Sequence, residues 1–307
     1  MNSKEKHVVS RIIETYEKIL FSLASTYQQH WSLRLYRLQK ERKYLQPIWS
    51  GFQSYTLYAL PKIASEKTDE ELGMGMLSGY EPIGLKKQIR LAFFKKNPGL
   101  AFTTTVAHYL FVAKSLNLSN LKGFNKYYEL GINRLKKVDW DKILIKGELV
   151  NVHPSACANT IYYLKYLDVI NLEDELLLLY KTKWLNFIPK GEMDWQNKVY
   201  ALTHVIIAGS YFYQIYLENG KFDWILKFFE KDIDEIIKNT NPDIIAEVGL
   251  CFRLCKKNKN KTVTKIKKYI VSCFDDKKGY IPREARDTMS RAEHRNILAI
   301  LLLADYD

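Results

Sequence analysis

Two adjoining stretches decide the fold: residues 222–238, FDWILKFFEKDIDEIIK, and residues 241–254, NPDIIAEVGLCFRL. The first gathers Trp224, Ile225, Phe228, Phe229, Ile233, Ile236 and Ile237 on one stripe, opposite Lys227, Glu230, Lys231, Asp234 and Glu235. That spacing predicts a helix with one wet face. The second opens with Asn241 as a cap and Pro242 at the first helical position, then runs apolar almost all round. A helix of that kind must be enclosed on every side. One-sided and all-apolar helices in alternation require two layers, an inner set jacketed by an outer one.

Outward from this pair the alternation recurs. Apolar runs open after capping-type residues at His153, Asp194, Asn241 and Ser290, a helical repeat of roughly 45 residues. Segments 154–167, 198–217, 242–255 and 291–303 are expected to be inner helices, and 172–184, 222–238 and 262–275 outer ones. Upstream, the run from Leu100 to Leu116, with Thr103, Thr104, Thr105 and His108, resembles an inner helix, and the run from Leu121 to Lys137 its outer partner. Residues 4–65 read as helical throughout, with Pro47 and Pro61 at starts or kinks. Residues 67–84, holding Gly73, Gly75, Gly79 and Pro82, read as a long connection. The expectation is a single all-helical domain over residues 1–307, with N-terminal helices to 96 and regular pairs from 97 onward. The pairing argues for an (α/α) toroid; an open α-solenoid carries the same local signature.

The 307 residues are 47% hydrophobic and 13% aromatic, the composition of a well-cored globular protein. Apolar runs near Val205 and Leu301 are too short to span a bilayer, and Met1–Val9 lacks the features of a signal peptide. A cytoplasmic protein with no membrane span is expected. The four cysteines fit reduced thiols; Cys251 and Cys255 share a helix face but have no zinc-finger spacing. His153 and Cys157, four apart, suit either a thiolate–imidazole pair or a plain helix cap. The protein is basic, at +13, mostly through scattered lysines. Only the run from Lys256 to Lys268 is dense enough to track nucleic-acid phosphates, and it lacks interleaved aromatic rings.

Polar residues lie early in the inner runs: Asn159, His204, Glu247 and His294. Burying them costs free energy unless they are paired or line a cavity. His204, Glu247 and His294 suit a divalent metal site, or acid–base work by a buried Glu247 with a raised pKa. Local satisfaction by a tyrosine hydroxyl or a carbonyl accommodates each one equally. Depth along the helices bears on convergence. Glu247 lies six residues past Asn241, whereas His204 lies ten past Asp194 or seven past Asn197. Only the later cap brings the two level. A second cluster, Arg283, Arg286, Arg291 and Arg295, precedes and enters the last inner helix. Forked guanidinium groups there suit a substrate carboxylate or phosphate, or an ion-pair clasp with Glu284, Asp287 and Glu293. Ser290-Arg-Ala-Glu293 reads as a capping box, which gives Glu293 a structural task.

The helical pairs, with the connection Asp275-Asp-Lys-Lys-Gly-Tyr-Ile-Pro282 leading into an inner helix, resemble the (α/α)-toroid proteins. These include terpene cyclases, protein prenyltransferase β-subunits, lanthionine cyclases and helical-barrel glycosidases. The resemblance is architectural and covers residues 97–307. The strings Tyr200-Ala-Leu-Thr-His204 and Ala246-Glu-Val-Gly-Leu-Cys251 also resemble those of a bacterial family of unknown function. The chain lacks the DxDD and DDxxD carboxylates of the cyclases and the zinc ligands of the lanthionine enzymes. The resemblance implies a central cavity near inner-helix N-termini, with His204, Glu247, Arg291 and His294 around it. Two functions therefore stand. One is an enzyme acting on a small anionic or polar substrate, with Asn159, His108 and the arginines as binding residues. The other is a non-catalytic repeat module that binds peptide, protein or nucleic acid.

Overall fold

The computed structural model describes residues 1–82, 84–217, 220–283 and 288–305, the side chains of 55–58 excepted. Among them every regular element is a helix, and the one β feature is an isolated bridge between Asp275 and Tyr280. The chain forms two compact units, residues 1–54 with 187–307, and residues 55–186. Helices α1 (Ser3–Glu17) and α2 (Ser25–Gln39) open the first unit, and α3 (Leu45–Ile63) runs from it into the second. The second unit holds α4 (Asp69–Leu77), α5 (Leu85–Lys96), α6 (Pro98–Ser115), α7 (Asn125–Leu135), α8 (Leu149–Val152), α9 (Pro154–Tyr166) and α10 (Glu173–Tyr180). The first resumes with α11 (Glu192–Gly209), α12 (Asp223–Asn239), α13 (Pro242–Leu254), α14 (Lys261–Ser272) and α15 (Met289–Leu303).

In the first unit the two layers follow from the hydrophobic pattern. Helix α13 packs between α11 and α15, and α15 packs in turn against α2. Outside them, α12 lies on α11 and α13, α14 on α13, and α1 on α15. Eleven of the thirteen residues of α13 are buried, but only four of the twelve in α14. The same contrast separates α15, with eleven of fifteen buried, from α12, with six of seventeen. Charged faces account for it, because α12 and α14 keep theirs in water.

The N-terminal hairpin continues this array instead of standing apart from it. Helix α2 is the next inner helix after α15, and α1 the next outer one after α14. The Tyr16 hydroxyl donates to the Met289 carbonyl at 2.8 Å, and its ring stacks on Trp31 at 4.4 Å. Asn296 holds the preceding connection, accepting from the Ile281 N–H at 2.8 Å and donating to the Ile281 carbonyl at 3.0 Å. Gly279, at φ 74°, lies so close to α1 that a Cβ would come within 2.4 Å of Thr15 Oγ1. The unit boundary thus does not follow residues 96 and 97.

In the second unit α6 packs on α9, and α7 and α10 flank them. The region 67–84, expected as a connection, contains α4. Gly73 serves close approach: a Cβ there would lie 1.8 Å from the Pro98 carbonyl oxygen, on the first turn of α6. Thr68 and Glu71 form the capping box that starts α4. A second correction concerns 198–217, where helix ends at Gly209. Tyr211, Phe212 and Tyr213 follow with φ of 50°, 57° and 71°. This is a left-handed turn built from three bulky residues, at about 1–2 kcal/mol each. Ser210 holds it, its hydroxyl accepting from the Tyr213 N–H at 2.9 Å.

Candidate functional site

Asn241 starts α13 by accepting from the N–H groups of Asp243 and Ile244, and this sets the register of Glu247. Glu247 is 2% exposed. Thr203 on α11 donates to its Oε2 at 2.8 Å, and His204 Nε2 lies 3.9 Å from its Oε1. The Tyr200 ring stacks on His204 at 5.4 Å. Burial pushes the Glu247 carboxyl up to about 8, opposed by the Thr203 hydrogen bond and Arg34 and reinforced by Asp243.

Glu293, the fifth residue of α15 and 1% exposed, forms the second centre. Its Oε1 lies 2.8 Å from Nδ1 of His30 on α2, and the His30 ring packs against His294 at 5.2 Å. Burial raises Glu293 to about 7, with Arg34 and His294 acting to lower it and Asp243 to raise it. Burial also depresses His30 well below the usual imidazole range, and takes His294 down to about 4 with His30 beside it. At neutral pH both imidazoles are therefore uncharged while Glu293 is near its midpoint. The 2.8 Å contact holds one proton, on the acid or on Nδ1.

Arg34 and Asp243 link the two centres electrostatically, since both act on Glu247, Glu293 and His294. The Arg34 guanidinium lies over the Tyr213 ring at 5.6 Å and donates from Nη1 to the His30 carbonyl at 3.1 Å. Both Glu–His pairs share one design. The carboxylate is enclosed, and the imidazole it faces keeps an accessible edge, with 27% of the His30 side chain and 18% of the His204 side chain exposed.

Several expected residues lie elsewhere. Asn159 and His108 belong to the second unit, on α9 and α6. Thr288 caps α15, accepting from the Arg291 N–H, so the capping-box role expected of Glu293 gives way to its contact with His30. The described arginines of the expected cluster have different surroundings. Arg295 is buried, with Nε on Asp243 Oδ1 at 2.5 Å and Nη1 on the Pro282 carbonyl at 2.7 Å. Arg283 and Arg291 are exposed, and Arg286 lies outside the described residues. Among the described residues no three His, Cys, Asp or Glu side chains are grouped to hold a metal, so His204, Glu247 and His294 do not form the expected ligand set.

His153 caps α9, accepting from the Ala156 N–H, while buried Cys157 contacts the Leu144 carbonyl. Burial pushes the Cys157 thiol up to about 12, the opposite of a reactive thiolate. In the run from Lys256 to Lys268, Lys257 pairs with Asp223 at 2.6 Å and Lys265 pairs with Asp234. Among the described residues no helix is long and apolar enough to cross a membrane. Sequence reasoning passed over His30 and Arg34, whose helix reads as an ordinary N-terminal segment until α15 is seen beside it.

Comparison with curated proteins gives no match, and neither does comparison with solved structures. A family model described as Domain of unknown function (DUF3541) matches residues 5–306, nearly the whole length. Both Glu–His pairs fall inside the matched region. The chain belongs to the DUF3541 family.

Proposed function

We propose that the protein is an enzyme performing acid–base chemistry on a small anionic or polar substrate at the Glu247–His204 and Glu293–His30 pairs. One observation carries this reading: two enclosed carboxylates in a single unit each face a partly exposed imidazole on a neighbouring helix. Enclosing a carboxyl costs free energy that an apolar side chain would avoid. The return is a proton held between about 7 and 8, where transfer at neutral pH is most effective. In this scheme His30 and His204 exchange protons with substrate at their accessible edges. Glu293, at hydrogen-bond distance from Nδ1, fixes the His30 tautomer, and Glu247 stands beside His204 as its electrostatic partner. Arg34 supplies the fixed positive charge that an anionic substrate needs. The docking of α1 and α2 beside α15 supports an (α/α) toroid over an open solenoid.

The test is product analysis by mass spectrometry. Mixtures of small carboxylic and phosphoric esters, amides and hydroxy acids are incubated with the protein, Glu247→Gln and Glu293→Gln. Conversion by the natural protein that falls about a hundredfold or more in both variants supports the reading. Variants that convert as fast as the natural protein, or mixtures left unaltered, overturn it.

A further inference from the structure

We infer that a cavity in the first unit, walled by Arg34, Arg37, Arg253, Tyr213, Leu250 and Leu301, binds a small organic anion with an apolar body. Its volume is about 120 Å³. Cavities of roughly 150 Å³ take up benzene, so the enclosed part of the ligand is on that scale, about six heavy atoms. Three guanidinium groups line the cavity and, among the described residues, no carboxylate does. Leucine, isoleucine and tyrosine side chains supply most of the remaining wall, so an inorganic ion would leave apolar surface uncovered and a hydrocarbon would leave the arginines unanswered.

The arginines are not equivalent. Arg253 donates from Nη1 to the Ala304 carbonyl at 2.6 Å and reaches those of Leu301 and Leu302, which closes the C-terminal end of α15. Arg37 donates to the Phe212 carbonyl at 2.6 Å. Arg34 keeps a buried Nε with no hydrogen-bond partner, and no carboxylate lies in ion-pair range of it among the described residues. An oxyanion in the cavity would meet the guanidinium where it lines the wall and supply the counter-charge that Arg34 lacks.

The backbone beside the cavity gives a second, independent observation. The left-handed turn of Tyr211, Phe212 and Tyr213 sets the Tyr213 ring against Arg34 and the Phe212 carbonyl on Arg37. Bulky residues persist in that conformation only where the surroundings impose it, and such strain concentrates at ligand clamps. Here it shapes the wall that holds two of the three arginines.

Isothermal titration of the full chain with hexanoate, hexyl phosphate, hexanol and inorganic phosphate tests this directly. At least one alkyl anion should bind on the order of tenfold more tightly than both hexanol and phosphate, and the preferred head group separates a carboxylic from a phosphoric ligand. Arg34→Gln should weaken the anion by about tenfold or more while sparing hexanol. Ile215→Trp, at a 46% exposed position on the same cavity, should weaken both by filling it. Equal binding of hexanol, equal binding of phosphate, no binding at all, or affinity untouched by Ile215→Trp overturns the proposal. The last outcome decides even if Arg34→Gln does not fold. Binding is read without turnover, so the acid–base reading and this one fail separately.

Discussion

Replacing Glu247 by glutamine should stabilise the protein, and by an amount that grows with pH. The carboxyl titrates at about 8 in the folded chain, against an ordinary value of 4.5. Below pH 4.5 both states carry the proton and the residue contributes no pH dependence. Between 4.5 and 8 the folded state keeps a proton that the unfolded state has released, so natural-protein stability falls as pH rises. At about 1.4 kcal/mol per pH unit, the loss reaches about 3 kcal/mol by pH 7 and levels off near 5 kcal/mol above pH 8. With the side chain 2% exposed, solvent screening removes little of this. Glutamine has the same shape, still accepts from Thr203, and does not titrate. Urea unfolding of both proteins at pH 4.5, 7 and 9 measures the gap, and the contributions of His30 and His294 cancel in the difference. A gap that stays constant would refute the reasoning. So would a variant less stable at every pH by roughly 3–5 kcal/mol, since that is the mark of an ionised Glu247 paired with a charged His204.

Glu293→Gln should open a similar gap, confined to pH 4.5–7 and saturating near 3 kcal/mol, because that carboxyl titrates at about 7; the same urea series reads it, with a gap still widening above pH 8 counting against the assignment. Arg295→Met strands Asp243 beside the α13 start and should cost about 3–5 kcal/mol, and a loss below about 1 kcal/mol would show the contact to be incidental. Gly73→Ala drives a methyl into the Pro98 carbonyl and should cost at least about 1–3 kcal/mol, seen as a lower melting temperature by circular dichroism.

The helical class and the two layers were legible because burial leaves a periodic trace, as in the wet stripe of α12 and the all-apolar α13. Glycine left an ambiguous one: Gly73 suggested a connection but serves helix packing, which only the neighbour α6 reveals. Counting depth from caps failed for His204. Helix α11 starts from Gly191, thirteen residues before it, yet His204 meets Glu247, six residues past its own cap. Packing sets helix heights, and helix starts need not align. Local density misled too, since Arg295 is buried on Asp243 while Arg283 and Arg291 are exposed. Half of the second centre was hidden by distance along the chain: His30 and Glu293 lie 263 residues apart, and nothing in either segment names the other.

The docking of the N-terminal hairpin beside α15 has a consequence for how the chain matures. Residues 55–186 form a unit from one uninterrupted stretch, so the partners for its internal contacts are all present once that stretch has been made. The first unit begins earlier and ends last. Throughout synthesis α1 and α2 carry apolar faces, Val8, Ile12, Trp31 and Leu35 among them, whose covering helix has not yet been made. His30 likewise waits without its acid until Glu293 emerges. The Glu293–His30 contact is thus among the last to form, and a chain ended before α15 would leave His30 without its carboxylate partner.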